Sequence, residues 1–101
     1  MNAKLKISRN LLDNHEEDLG EVSFMDSDYF NLYNNVAVSS DLVNLDNKLW
    51  LGWQVKIKDE TITVSKQLPI LTDDIELKIG ESATLDFQGL GKYKLNLISI
   101  N

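Results

Sequence analysis

Apolar and polar side chains alternate with a period of two along most of the chain, and this pattern constrains the fold more than any other feature. Successive side chains of a β-strand point to opposite faces, so the alternation predicts strands with one buried face. The alternating segments are 3–9, 20–25, 35–39, 48–58, 61–68, 75–79, 83–87 and 92–100. Turn-forming pairs such as Asp59-Glu60 and Gly80-Glu81 separate several of them. The sequence therefore predicts a mostly β fold, an antiparallel β-sandwich or small barrel of seven to eight strands.

Residues 27–34 depart from this alternation. Tyr29, Phe30, Leu32 and Tyr33 follow helical spacing for about one turn. A serine or aspartate just before them could cap a helix. Two interpretations fit the segment, a short helix near 27–34 and an irregular loop.

The size and composition of the chain narrow its class. Its 101 residues predict one domain, 1–101. The chain has no cysteine, which favours a reducing compartment, and we expect a cytoplasmic protein. No apolar run is long enough to span a membrane. The formal net charge of −6 disfavours direct binding to nucleic acid and to anionic membrane surfaces.

Acidic residues are concentrated in one part of the sequence. No lysine or arginine occurs between Arg9 and Lys48. That span holds nine acids: Asp13, Glu16, Glu17, Asp18, Glu21, Asp26, Asp28, Asp41 and Asp46. The rest of the chain carries ten bases and seven acids, so its formal charge is +3. The chain is therefore strongly polarised along its sequence.

Two interpretations of the acidic run remain open. It could form solvated loops that keep the protein soluble, or a negative surface that meets a basic partner. The second interpretation gains from the aromatic residues inside the run, because rings surrounded by charge suit an interface. The centre of this surface is predicted at Asp26, Asp28, Tyr29, Phe30 and Tyr33, with steering charges at Glu16, Glu17, Asp18 and Glu21. The alternative for the aromatic rings is core packing.

The residues do not predict an enzyme. His15 is the only histidine and lies in a polar stretch, Asp-Asn-His-Glu-Glu-Asp, which is typical of a solvated loop. The acids around it lack the spacing and central glycine of a calcium loop. We therefore expect no catalytic set, no metal site and no cofactor.

In overall character, the small, acidic and cysteine-free chain resembles bacterial immunity proteins of contact-dependent growth inhibition systems. These proteins neutralise a cognate toxin. The resemblance implies an inhibitory protein that binds a basic toxin, a nuclease in many such systems, as a monomer in a 1:1 complex. An acidic surface could then occupy the substrate cleft of the nuclease in place of phosphates.

Two other functions also fit the sequence. Trp50 lies on the opposite strand face from Trp53 and shares that face with Lys56 and Lys58. An exposed tryptophan there could stack on sugars, so a carbohydrate- or small-ligand-binding sandwich is one alternative. The other is a structural or assembly subunit whose edge strands pair with copies of itself.

Overall fold

A computed structural model shows two antiparallel β-sheets packed face to face, and it describes residues 1–10, 15–42, 51–67, 74–87 and 89–101. The strands are β1 (Asn2–Asn10), β2 (Glu16–Met25), β3 (Tyr29–Asn31), β4 (Val36–Val38), β5 (Gly52–Lys58), β6 (Thr61–Gln67), β7 (Asp74–Lys78), β8 (Ser82–Phe87) and β9 (Gly91–Ile100). The four-stranded sheet has the order β2-β1-β9-β8, and the five-stranded sheet has the order β4-β3-β5-β6-β7. Both sheets are open, so the fold is a sandwich and not a closed barrel.

The core lies between the two sheets and contains alternate residues of their strands. Leu5 and Ile7 of β1 face Val55 and Val64 of the five-stranded sheet, and all four are fully buried. A cluster of aromatic side chains packs between the two sheets at one side of this core. Phe30 and Trp53 stack with ring centroids 4.3 Å apart, and the Tyr93 ring meets Trp53 edge-on at 5.6 Å.

The alternation predicted the sandwich correctly, and the structure adds a ninth strand. In the segment 27–34, where a short helix or an irregular loop was expected, strand β3 lies between two turns. Phe30 points inward and Tyr29 outward, as on other strands, and Leu32 then enters the turn. Helical backbone occurs instead at residues 40–42.

Strand register defines two ends of the sandwich. The Met25 end holds residues 25–28, the β5–β6 turn and the paired residues Asn2 and Asn101. The Glu16 end holds the opposite ends of β1, β2 and β9, where Glu16 pairs with Asn10 and Asn10 pairs with Lys92. Glu16 and Met25 lie at the two ends of the ten-residue strand β2, about 30 Å apart along the strand.

Candidate functional site

Strand β2 carries the largest part of the acidic run that the structure describes. It is an edge strand of the four-stranded sheet, and among the described strands it pairs only with β1. Its ten residues include four acids and no base. A bulge at Leu19, with Gly20 at φ 80°, interrupts the register between the acidic start of the strand and its apolar end. Bulges and charges are common on edge strands because they discourage pairing with other chains.

Two of the four acids on β2 face bases on neighbouring β1. Glu17 accepts a hydrogen bond from Arg9 Nε at 2.8 Å and forms an ion pair with Arg9 Nη2 at 2.7 Å. The pKa of Arg9 is raised above its ordinary value, first by a hydrogen bond with the Tyr93 side chain and second by Glu17. Lys4 lies 3.9 Å from Glu21. The negative charge of Glu17 and Glu21 is therefore partly balanced inside the sheet.

Glu16 and Asp18 are the two acids on β2 without such a base. Both side chains are exposed, and neither forms an ion pair with another described residue. One Asp18 carboxylate oxygen accepts a hydrogen bond from the Gly20 amide at 2.8 Å, which supports the bulge. Glu16 and Asp18 point outward at the Glu16 end, two residues apart along the strand, or roughly 7 Å.

Asp26 and Asp28 lie at the Met25 end, away from Glu16 and Asp18, and accept hydrogen bonds from backbone amides. Asp26 Oδ1 accepts a hydrogen bond from the Ile57 amide, and Asp28 Oδ2 accepts one from the Met25 amide, both at 2.8 Å. The Ser27 amide also donates to the Val55 carbonyl. These bonds fix the connection between the two sheets at the Met25 end. A sequence pattern could not reveal this, since Ile57 comes 31 residues after Asp26.

The three aromatic residues predicted at the centre of the acidic surface also lie in different environments. Phe30 is 1% exposed and packs between Trp53 and Tyr93, so its assignment to the surface was wrong and the core alternative applies. Tyr29 is half-buried on the outer face of the five-stranded sheet. Tyr33 is 79% exposed in the β3–β4 turn, where its amide donates to Asn31 Oδ1. Tyr33 is the aromatic residue of the three that could contact a partner with most of its ring.

The predicted residues therefore do not form one continuous surface. Glu16 and Asp18 lie at the Glu16 end, Glu21 lies in the middle of β2, and Asp26 lies at the Met25 end. Trp50, Asp13 and Asp46 fall outside the described residues. The described part of the acidic run divides into an exposed acidic strand and a structural turn.

A polar groove on the outer face of the four-stranded sheet is not evident from the sequence. Its volume is about 400 Å³, and it is lined by Lys6, Ser8, Glu16, Asp18, Lys94 and Asn96. Alternation had placed Lys6 and Lys94 on the solvent faces of their strands. What the alternation could not show is that β1 and β9 are neighbours, which brings basic side chains beside the acidic strand.

Some classes of site are not found in the described part of the chain. No group of three or more histidine, cysteine, aspartate or glutamate side chains could hold a metal ion there. No helix among the same residues is long and apolar enough to cross a membrane. Comparisons with protein-family models, curated proteins and solved structures give no match.

Proposed function

We propose that this protein is an inhibitory binding protein that neutralises a basic protein partner, with strand β2 as its contact surface. The observation that carries the proposal is the exposed, base-free acidic edge strand, on which Glu16 and Asp18 have no basic partner among the described residues. Carboxylates that form no ion pair within the protein can form ion pairs with another protein. They also speed the encounter with a positive surface.

The partner that fits best is a toxin of the nuclease type, because such an enzyme must present a positive cleft to phosphates. A strand with outward carboxylates at Glu16 and Asp18 could enter that cleft and exclude the nucleic acid. The protein would act in the cytoplasm as a monomer in a 1:1 complex. Tyr33 would add an aromatic contact at the periphery, whereas Asp26 and Asp28 would stabilise the fold.

A competing explanation assigns the acids of β2 to edge protection alone. Charges on an edge strand prevent pairing with other copies, and this role needs no partner. The two explanations differ in what a charge reversal does. Loss of edge protection promotes self-association, whereas loss of a binding surface releases a basic protein.

The test is affinity capture from the native host with matched charge reversals. The binding variant is Glu16→Lys with Asp18→Lys on β2, and the control is Asp74→Lys with Glu76→Lys. The control acids are also exposed, two residues apart, and lie on β7, an edge strand of the other sheet. We expect wild type and control to retain the same basic protein at low salt, and the β2 variant to lose it.

The captured protein is then produced on its own and its activity on nucleic acid is measured. Stoichiometric inhibition by wild type and at least about tenfold weaker inhibition by the β2 variant are expected, as for a charged pair worth more than about 1.4 kcal/mol. Equal capture by the β2 variant would exclude β2 as the contact surface. Light scattering that shows self-association of the β2 variant, without loss of any partner, would favour edge protection.

A further inference from the structure

A second pocket lies at the Glu16 end, on the outer face of the four-stranded sheet. Its volume is about 270 Å³, and its lining consists of polar side chains: Ser8, Arg9, Asn10, Glu16, Thr84, Lys92 and Lys94. This set is named here the Lys92–Lys94 pocket. None of the lining residues is aromatic or aliphatic, so the pocket suits a small hydrophilic ligand and not an apolar one.

Strand register explains why hydrogen-bond donors gather in this pocket. Lys94 of β9 pairs with Ser8 of β1 on one side and with Thr84 of β8 on the other. Two residues along β9, Lys92 pairs with Asn10 of β1 and with Asp86 of β8. Because residues two apart point to the same face, both lysines project outward, roughly 7 Å from each other. Two ammonium groups, two hydroxyl groups and an amide thus share one patch of surface.

The pocket contains two exposed lysines in a chain whose net charge is −6. Lys92 and Lys94 contribute two positive charges, Glu16 contributes one negative charge, and the exposed Asp86 lies opposite Lys92 in the strand register. Arg9 also lines the pocket, but its side chain shares the face of its register partner Tyr93 and forms an ion pair with Glu17. The two lysines are exposed, and neither forms an ion pair with a described residue. Asp86 offsets part of the charge of Lys92, and both ammonium groups can still donate to a ligand.

From this arrangement we infer that the Lys92–Lys94 pocket binds a small oxyanion of the phosphate type, either free or as a monoester on a small molecule. Ammonium and hydroxyl donors around one point are the groups that bind phosphate oxygens through charge-assisted hydrogen bonds. The acids of β2 limit the size of the ligand. Glu16 lines the pocket and Asp18 lies beside it, so a long polyanion would meet repulsion there. This inference does not rest on the proposed partner, although Glu16 belongs to both sites.

The experiment is an NMR titration of the folded protein at constant ionic strength, with chloride as the balancing anion. The probes are sodium phosphate, glycerol 3-phosphate and a single-stranded oligonucleotide. We expect saturable shifts of the amides around Thr84, Lys92 and Lys94 with phosphate or with glycerol 3-phosphate. The probe that binds more tightly shows whether the pocket prefers free phosphate or a phosphate monoester. A tighter fit to the oligonucleotide, with shifts spread beyond the pocket, would overturn the inference.

Matched variants locate the binding. Lys92→Gln with Lys94→Gln should weaken it about tenfold or more, since two charged donors are lost. Lys56→Gln with Lys58→Gln is the control, because these lysines have the same spacing and exposure on β5 of the other sheet. Glu16→Gln should tighten binding about threefold by removing a nearby negative charge. Absence of saturable shifts in wild type, or equal weakening in the control, would overturn the site.

Discussion

Gly52 is the position at which the smallest change should have the largest effect on stability. A Cβ atom added there would lie 1.7 Å from the Phe30 carbonyl oxygen and 2.9 Å from the Phe30 carbonyl carbon. Ordinary Cβ contacts begin near 3.4 Å, so β3 would have to move away from β5 by about 1.5 Å or more. Both obstructing atoms are backbone, and no change of rotamer can relieve the clash.

The cost of Gly52→Ala follows from what holds β3 in place. Hydrogen bonds of 3.0 Å from the Leu32 amide to Leu51 and of 2.9 Å from the Val55 amide to Asp28 would be strained or lost, at about 1–3 kcal/mol together. Disturbing the buried stack of Phe30 on Trp53 adds about 1–3 kcal/mol. We expect the free energy of unfolding to fall by about 4 kcal/mol, which corresponds to a melting temperature lower by about 15 °C or more.

The assay is thermal and urea denaturation followed by circular dichroism, with Gly80→Ala as the control. Gly80 has a φ of 92° and nothing within 4 Å of its added Cβ, so alanine there costs only backbone strain, about 1–2 kcal/mol. Equal losses of stability in the two variants would refute the argument. Such a result would mean that β3 separates from β5 at little cost.

Three further predictions concern single side chains. Phe30→Ala should lower the free energy of unfolding by about 3–5 kcal/mol, whereas Tyr33→Ala should change it by less than about 0.5 kcal/mol, and similar values would contradict their assignment to core and surface. Asp26→Ala should cost about 1 kcal/mol in the same denaturation assay through the lost bond to the backbone amide of β5, and an unchanged midpoint would argue against that bond. Lys66→Met should cost about 1–2 kcal/mol, because the ammonium group donates to the Asp86 carbonyl at 2.9 Å and lies 5.7 Å from the Phe87 ring centroid, and hydrogen exchange at β8 should then rise.

The fold class could be predicted from the sequence because each long strand has one buried face. Leu5 and Ile7 of β1, and Leu95 and Leu97 of β9, were on the faces that the structure buries. Strand β3 was missed because it is only three residues long. A strand that short, followed at once by a tight turn, produces the same spacing of aromatic residues as one helical turn.

The candidate site could be predicted only in part, and the reason is long-range pairing. The acidic run is visible in the sequence, but its division between a strand and a structural turn depends on Asp26 meeting Ile57. The Lys92–Lys94 pocket depends on β9 pairing with β1, about ninety residues earlier in the chain. Neither contact produces a local pattern in the sequence. The acidic run therefore predicted one acidic surface, whereas its described residues lie in different parts of the sandwich.

The central place of β1 in the four-stranded sheet has a consequence for the order of folding. Strand β1 pairs with β2, the next described strand, and with β9, which is synthesised after the other eight described strands. During synthesis β1 therefore keeps one unpaired edge until residues 91–100 emerge, and the high sequence separation of this contact slows completion of the sheet. Strand β1 carries three basic residues along its length, Lys4, Lys6 and Arg9. Their charges should discourage nascent chains from pairing with one another before β9 arrives.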